Sequence, residues 1–141
     1  MERFKILFLG DIVGRVGRVV LKQHLSEIVA ELKPDFIIAN GENAAGGVGI
    51  DMACADEIYS SGVQFMTMGN HIWNKKEIFP FLEKHPERMI RPCNYPAGAP
   101  GMGYTIWTSP SGSRRWSCPW SRRTDCWRAS SCIRPRAKDC C

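Results

Sequence analysis

Histidine is scarce in this 141-residue chain, which has three, and long apolar runs are absent. No stretch approaches the roughly twenty consecutive apolar residues of a membrane-spanning helix. The N-terminus mixes charged residues with a short apolar run that Asp11 closes, without a small-residue cleavage site, so a signal peptide is not indicated. We therefore expect a cytoplasmic protein with no membrane partner, in which Cys54 and Cys93 are free thiols.

The C-terminal segment lacks the residues from which a hydrophobic core is built. Between Ser113 and Cys141 there is no Leu, Val, Phe, Met, Gly or Glu, whereas five of the seven cysteines and eight of the 19 Lys+Arg residues lie there. The segment shows no period of 2 or 3.6, and its cysteines contain no Cys-x-x-Cys pair for a zinc site. The positive net charge of the chain belongs to this segment, so we expect no specific nucleic-acid binding.

We interpret residues 1–112 as one partial domain and residues 113–141 as an irregular, aberrant or disordered tail. Alternating Arg, Ser, Cys, Trp and Pro is typical of a shifted reading frame, which predicts that the native sequence ends near Ser111. A disulfide-rich module is the alternative, although nothing upstream indicates secretion. Sequencing of the source DNA would contradict the frameshift hypothesis if it showed one uninterrupted frame with supported expression.

Three apolar runs each end in a glycine followed by polar residues. Their starts lie about thirty residues apart, the length of a strand with its crossover helix, so they predict successive βα units of one parallel α/β sheet. Ligands of open α/β sheets bind at the carboxyl ends of the strands, where these polar residues fall. We therefore expect one site to contain Asp11, Glu42, Asn43, Asn70 and His71.

Apolar spacing and capping residues place three helices. The first ends near Pro34 and presents a wide apolar face. We expect Asp51 to cap a second helix, which stops at Gly62, and Asn74 to cap a third. A long loop over 91–103 and a strand over 104–108 follow. The expected apolar face of the first helix consists of Val16, Val20, Leu21, Leu25, Ile28, Val29 and Leu32.

The polar residues suit a pair of divalent metal ions, which needs a bridging carboxylate and several nitrogen or oxygen ligands. Asp11 and Glu42 supply negative charge, Asn43 and Asn70 supply amide oxygens, and the preceding glycines let the backbone turn sharply. His71, beside a ligand, could protonate a departing oxygen. Ordinary alternatives are a helix cap for Asp11, turn roles for both asparagines, a solvated loop carboxylate for Glu42, and a backbone partner for His71.

Four motifs resemble the bacterial YmdB-type metallophosphoesterases, which are calcineurin-like 2′,3′-cyclic-nucleotide 2′-phosphodiesterases. They are GDIVG at 10–14, NGENAAGG at 40–47, MGNHIWNK at 68–75 and RPCNYP at 91–96. The match covers only an N-terminal part of the family pattern, from about Lys5 to Thr108. It implies the N-terminal half of a metallophosphoesterase sandwich.

The resemblance also implies roles for the polar residues. Asp11 would bind one metal, Glu42 would bridge two, Asn43 and Asn70 would complete the near half of the site, and His71 would be the proton donor. The implied cofactors are two divalent ions, with Mn or Fe favoured over Mg or Zn. The implied reaction is hydrolysis of a 2′,3′-cyclic nucleotide.

This chain departs from the family pattern in its histidines. The family uses three further histidine ligands downstream, and neither His24 nor His85 matches their motifs. Asn74 also stands where the family usually has Asp. The alternative is therefore a non-catalytic truncated fragment that binds metal or nucleotide weakly or associates with a full-length copy. The family is compatible with homo-oligomers.

Overall fold

A four-stranded parallel sheet forms the centre of the described structure. The structure is a computed structural model that describes residues 4–108 and the strand Arg115–Pro119. The strands follow chain order across the sheet: β1 (Ile6–Asp11), β2 (Phe36–Asn40), β3 (Phe65–Thr67) and β4 (Met89–Ile90). The predicted parallel α/β sheet of βα units is thus confirmed. The two residues of β4 are too few to show a pattern, and this strand was not predicted.

Helices connect the parallel strands. They are α1 (Gly14–Leu32), α2 (Met52–Ser60) and α3 (Phe79–Lys84), the last preceded by 3₁₀ turns at Asn70–Asn74 and Lys76–Ile78. Because crossovers between parallel strands are right-handed and the strand order is monotonic, the three helices lie on one face of the sheet. No described helix combines the length and the apolar character that crossing a lipid bilayer requires.

The two faces of the sheet belong to two separate apolar clusters, because alternate strand residues point to opposite sides. On the helix face, Ile37, Ala39 and Met66 pack with apolar residues of the helices. On the opposite face, Phe36 and Phe65 form a smaller cluster with their neighbours. Both faces of the strands that lead to the site are therefore packed against apolar side chains.

A hairpin of β5 (Tyr104–Thr108) and β6 (Arg115–Pro119) forms a second, antiparallel sheet. Trp107 of β5 covers the smaller cluster, with its ring centroid 4.4 Å from that of Phe36. The predicted strand over 104–108 is confirmed. Strand β6 lies inside the segment 113–141, whose other residues fall outside the described ones, so the boundary at 112 and the frameshift hypothesis stay predictions.

The predicted apolar face of α1 is only half buried. Leu21 and Leu25 are buried, whereas Val16, Val20 and Leu32 are 75%, 49% and 44% exposed. The reason is the position of β1 at an edge of the sheet, which leaves one side of the helix without a described neighbour. The prediction was therefore right for the centre of the stripe and wrong for its flanks.

The predicted start of the third helix was also wrong. Asn74 does not cap a helix: residues 70–78 form two 3₁₀ turns, and α3 begins at Phe79 after Ile78, which makes no side-chain cap. Trp73 packs edge-on against Phe79, with ring centroids 5.7 Å apart. This aromatic contact favours tight turns between the two residues over one continuous helix.

Asp51 caps α2 as predicted, since its side chain accepts a hydrogen bond of 2.9 Å from the Cys54 backbone N–H. We expect Asp51→Ala to lower the free energy of unfolding by about 1 kcal/mol at neutral pH. The same hydrogen bond holds the pKa of Asp51 below its ordinary value of 3.8. The carboxylate therefore stabilises the fold above that pH, and its contribution is lost as the pH falls through the lower folded pKa.

Urea unfolding of the parent and Asp51→Ala, at neutral pH and below pH 3.8, measures this contribution. The difference between the two proteins should shrink in acid. Asp56→Ala is a matched control, because Asp56 is exposed on the same helix and is not at its cap. An equal loss of stability in both variants would contradict the capping role.

Candidate active site

The predicted polar residues lie at the carboxyl edge of the parallel sheet. Asp11 ends β1, Glu42 and Asn43 follow β2, and Asn70 and His71 open the 3₁₀ turn after β3. The register of β1 against β2 shifts between Leu9 and Asp11. Such a bulge bends a strand and changes the direction of the side chain that follows it, here Asp11.

Three of these side chains form a continuous hydrogen-bonded chain. Asn43 Nδ2 donates to Asp11 Oδ2 at 2.6 Å, and Asn43 Oδ1 lies 2.5 Å from Nδ1 of His71. An ionised carboxylate only accepts, so Asp11 determines which end of the Asn43 amide faces it. The amide oxygen is then turned toward His71, and Nδ1 of the imidazole must be the donor. This leaves Nε2 as the ring nitrogen available to a ligand.

Glu42 lies against the backbone of the next site segment. The backbone N–H of His71 points to Glu42 Oε2 at 3.5 Å, and the Glu42 backbone N–H donates to Asn40 Oδ1 at 3.0 Å. A Cβ atom at Gly69 would overlap the Glu42 carboxyl group, since Cδ and both oxygens would lie closer than 3.0 Å. The carboxylate thus occupies the space that the missing side chain leaves.

Two of the three motif glycines, Gly41 and Gly69, leave space that neighbouring side chains occupy, and none of the three makes the sharp turn that we predicted from the sequence. Gly10, Gly41 and Gly69 all have ordinary φ values outside the left-handed region. Gly41 packs closely, because an added Cβ would lie 3.0 Å from Met66 Sδ, whereas nothing lies within 4 Å of one added at Gly10. Close approach is therefore required at two of the three positions.

Asn70 carries a feature of the rim that points directly to a ligand. Its Oδ1 atom is buried and has no hydrogen-bond partner. A buried amide oxygen without a partner costs about 1–3 kcal/mol, so the fold retains an acceptor that a cation or a donor group could satisfy. Asn70 makes no described hydrogen bond to the other four residues and shares the rim with them through its place after β3.

The remaining histidines lie outside this rim. His24 is exposed in the middle of α1, with Nδ1 3.7 Å from Glu27 Oε2. His85 follows α3 and lies 3.0 Å from Glu87 Oε1. Neither residue lies among the five predicted site residues.

Arg18 anchors the loop that carries Glu42 and Asn43, a role that the sequence pattern does not indicate. Its Nε donates to Glu57 Oε2 of α2 at 2.6 Å, and its Nη1 donates to the Ala44 carbonyl. The hydrogen bond to Glu57 raises the pKa of Arg18 above its ordinary value, so the guanidinium stays charged. No motif marks this residue, because its partners are 26 and 39 residues away in the chain.

The loop itself turns on two glycines. Gly46 and Gly47 have φ of +70° and +91°, which side chains rarely adopt. This turn lets the backbone N–H groups of Gly14 and Gly47 converge on the Asn43 carbonyl, at 2.9 and 3.0 Å. The start of α1 and the glycine turn therefore fix the backbone of Asn43 from two sides.

Cys54 is not suited to act as a nucleophile. Cys54 and Cys93 are free, as predicted; Cys54 is buried in α2 and Cys93 is exposed. Burial raises the pKa of Cys54 to about 11, so its thiol is protonated at neutral pH. A protonated buried thiol is a poor nucleophile.

The donor set fits part of a site for divalent metal ions. Within the described part of the chain, no three His, Cys, Asp or Glu side chains are grouped to hold a metal ion. The rim instead combines the carboxylates of Asp11 and Glu42 with the amide oxygens of Asn43 and Asn70. Hard cations prefer such oxygen ligands, and the unpaired Asn70 Oδ1 has no other described partner.

Comparison with known proteins gives consistent matches over the same region. Residues 7–116 match the family described as YmdB-like protein. A 2′,3′-cyclic-nucleotide 2′-phosphodiesterase of Bacillus subtilis is 46% identical over 101 residues, which cover 72% of this chain and 38% of that protein.

Several chains of solved structures are similar, among them the following two. A hypothetical protein of Thermus thermophilus has a TM-score of 0.71 and 37% identity, and the match covers 81% of this chain and 42% of that protein. A novel phosphatase of Mycoplasma pneumoniae has a TM-score of 0.70 and 29% identity, covering 76% and 39%. The chain thus spans about two fifths of the length of each of these three proteins.

Proposed function

This chain belongs to the YmdB-like family, and we propose that it acts as a metal-dependent phosphodiesterase on 2′,3′-cyclic nucleotides. The resemblance read from the motifs is confirmed, as is the fold class, the N-terminal part of a phosphoesterase α/β fold. The proposal takes its substrate from the name of the Bacillus subtilis relative. The observation that carries it is the hydrogen-bonded chain from Asp11 through Asn43 to His71, beside Glu42 and the unpaired Asn70 oxygen.

Asp11, Glu42, Asn43 and Asn70 would hold the metal ions, of which Mn or Fe are favoured and Mg or Zn are compatible. Glu42 is the candidate bridging ligand. When bound, such ions neutralise charge on the phosphoryl oxygens and lower the pKa of bound water. Asn43 can serve both a metal and His71, because an amide oxygen has two lone pairs.

His71 acts as the proton donor in this proposal. Asn43 accepts a hydrogen bond from Nδ1 and so orients the imidazole, which presents Nε2 outward from the chain of hydrogen bonds. In the protonated imidazole, Nε2–H would give its proton to the oxygen that leaves phosphorus. That transfer avoids the release of an unprotonated alkoxide, which is how a general acid accelerates the reaction.

A non-catalytic role in metal or nucleotide binding is the second candidate. It is favoured by the absence of further imidazole ligands among the residues described, since His24 and His85 lie elsewhere. Association with another copy is compatible with the exposed side chains of Ile6, Val16 and Val20. The expected cytoplasmic location stays a prediction.

Hydrolysis of 2′,3′-cyclic AMP by the purified chain with Mn²⁺ separates the two candidates. We expect turnover that falls by more than about 100-fold in Asn70→Ala, because a buried oxygen ligand is removed and loss of an outer partner alone costs 10- to 100-fold. Asn74→Ala is the matched control, since Asn74 is an exposed asparagine at the other end of the same 3₁₀ turn. Mn²⁺ binding without turnover would favour the binding role, and equal turnover in parent and Asn70→Ala would contradict the site.

A further inference from the structure

The motif at 91–96 has no part in the proposed reaction, and its first residue is a buried cation. Arg91 is 5% exposed and directly follows β4, so it lies at the same edge of the sheet as Asp11, Glu42 and Asn70. Among the described ion pairs none involves Arg91. A buried guanidinium without a carboxylate is costly unless its N–H groups are hydrogen-bonded.

Backbone carbonyls replace the missing carboxylate. Arg91 Nε donates to the carbonyls of Pro100 and Gly101, both at 3.2 Å. Nη1 donates to the Pro92 carbonyl at 3.0 Å, and Nη2 donates to the Pro96 carbonyl at 3.3 Å. One side chain therefore satisfies four carbonyls of a loop that has no regular secondary structure of its own.

The loop over 92–101 closes on itself around this guanidinium. The Arg91 backbone N–H donates to the Met102 carbonyl at 3.0 Å, which joins the two ends of the loop. Gly103 packs against Cys93 so closely that an added Cβ would lie 2.6 Å from its Cα atom. The result is a compact loop whose ends are adjacent and whose interior is one charged side chain.

This loop touches the site segment through an aromatic contact. Tyr95 lies between two of the bonded carbonyls, those of Pro92 and Pro96, so Arg91 holds the backbone on both sides of it. The Tyr95 ring packs edge-on against Trp73, with centroids 5.1 Å apart. Trp73 belongs to the 3₁₀ turn Asn70–Asn74 that carries two of the predicted site residues.

We propose that Arg91 is a positioning residue for the site: it folds the 92–101 loop around its guanidinium, and the loop holds the Asn70–His71 turn in place through Tyr95 and Trp73. The part of this proposal that concerns turnover rests on the proposed phosphodiesterase function. The part that concerns conformation does not. The two can therefore fail separately.

The choice of arginine follows from the geometry of the four acceptors. A guanidinium has five N–H donors in a fixed planar fork, whereas a lysine ammonium is a point charge with three donors. Arg91→Lys keeps the charge but leaves carbonyls of the loop without a donor. Its effect should therefore be close to that of Arg91→Met if the fork matters, and close to that of the parent if only the charge matters.

The conformational test uses the ¹⁵N-labelled full chain in solution. The signals to follow are the Trp73 indole N–H and the backbone amides of Asn70 and His71. We expect Arg91→Met, Arg91→Lys and Tyr95→Ala to shift these three signals along the same direction. Tyr95→Phe keeps the ring and should leave them in place, since no described hydrogen bond uses the Tyr95 hydroxyl.

Shifts confined to residues 92–101 would overturn the proposal, because the loop would then fold without influence on the site segment. Equal shifts in Tyr95→Phe would overturn it as well, since the ring contact would not be the link. If Arg91→Met does not fold, Tyr95→Ala decides the question alone, because Tyr95 is a partly exposed loop residue.

The functional part is tested with 2′,3′-cyclic AMP and Mn²⁺. We expect kcat to fall in Arg91→Lys and Tyr95→Ala while KM stays unchanged, since the loop positions the proton donor and contacts no substrate in this proposal. An unchanged kcat together with shifted signals would overturn the link to function. A parent chain without turnover would contradict the proposed function and leave the conformational result to decide the positioning role.

Discussion

Gly69→Ala should lower the affinity for Mn²⁺ and the turnover of 2′,3′-cyclic AMP by more than about 100-fold, because loss of an outer partner alone costs 10- to 100-fold. The added methyl group would occupy the position of the Glu42 carboxyl group. Backbone atoms cannot yield at the end of a buried strand, so the flexible Glu42 side chain must move away. The candidate bridging ligand would then be displaced by a substitution at another residue.

The same substitution should change the free energy of unfolding by less than about 1 kcal/mol. Gly69 has φ −113°, which alanine adopts, and alanine restricts the unfolded chain slightly. Isothermal titration with Mn²⁺ and urea unfolding of one preparation measure the two effects together. Large loss of binding with retained stability is the combination that a displaced ligand predicts.

Gly10→Ala is the matched control for Gly69→Ala. It lies at the same edge of the sheet, has an ordinary φ and has open space where the Cβ would stand. We expect it to bind Mn²⁺ as the parent does. Retained binding in Gly69→Ala would show that Glu42 is not a ligand, and equal losses in both variants would indicate a general sensitivity of the rim.

The positions of the site residues could be predicted because they follow from local pattern. Each apolar run ends where its strand ends, and the carboxyl ends of parallel strands must share an edge. Asp11, Asn43 and His71 therefore come together although 28 and 32 residues separate the partners of their hydrogen bonds. Topology alone accounts for this meeting.

The residues that hold the site could not be predicted, because their roles depend on contacts that no local pattern shows. In the sequence, Arg18 is one more charged residue of a helix. Its role is visible only in the structure, where the loop at 41–49 lies beside it. Arg91 reads as a loop cation until four carbonyls are seen to surround it.

The failed cap at Asn74 has a similar cause. A capping residue lowers the free energy of a helix start by about 1 kcal/mol, which tertiary packing can exceed. Here Trp73 contacts both Phe79 and Tyr95, and these contacts tie the segment before the helix into two short turns. The prediction for the flanks of the apolar stripe on α1 was wrong for a related reason. Periodicity identifies the stripe but not the neighbouring elements that cover it.

His71→Ala should lower kcat for 2′,3′-cyclic AMP by about 10²–10⁴-fold and leave Mn²⁺ affinity unchanged, because a general acid contributes a factor of that size without binding metal. His71 is hydrogen-bonded to Asn43, which is a proposed ligand, but His71 itself is not proposed to bind metal. His24→Ala is the matched control, since His24 is exposed on α1 and should not affect either quantity.

The nature of the leaving group distinguishes proton donation from other roles of His71. Bis(p-nitrophenyl) phosphate releases p-nitrophenolate, a stable anion that needs no proton, whereas the cyclic nucleotide releases a ribose oxygen that does. If His71 supplies the proton, His71→Ala should lose far less activity on the first substrate than on the second. Equal losses on both would indicate that the imidazole orients Asn43 instead, and a fall in Mn²⁺ affinity would make His71 a ligand. Asp11 sets the orientation of the Asn43 amide, and the amide oxygen accepts the hydrogen bond from Nδ1 of His71. Only Nε2 then remains to face the substrate. The proton-donor role of His71 depends on this sequence of hydrogen bonds.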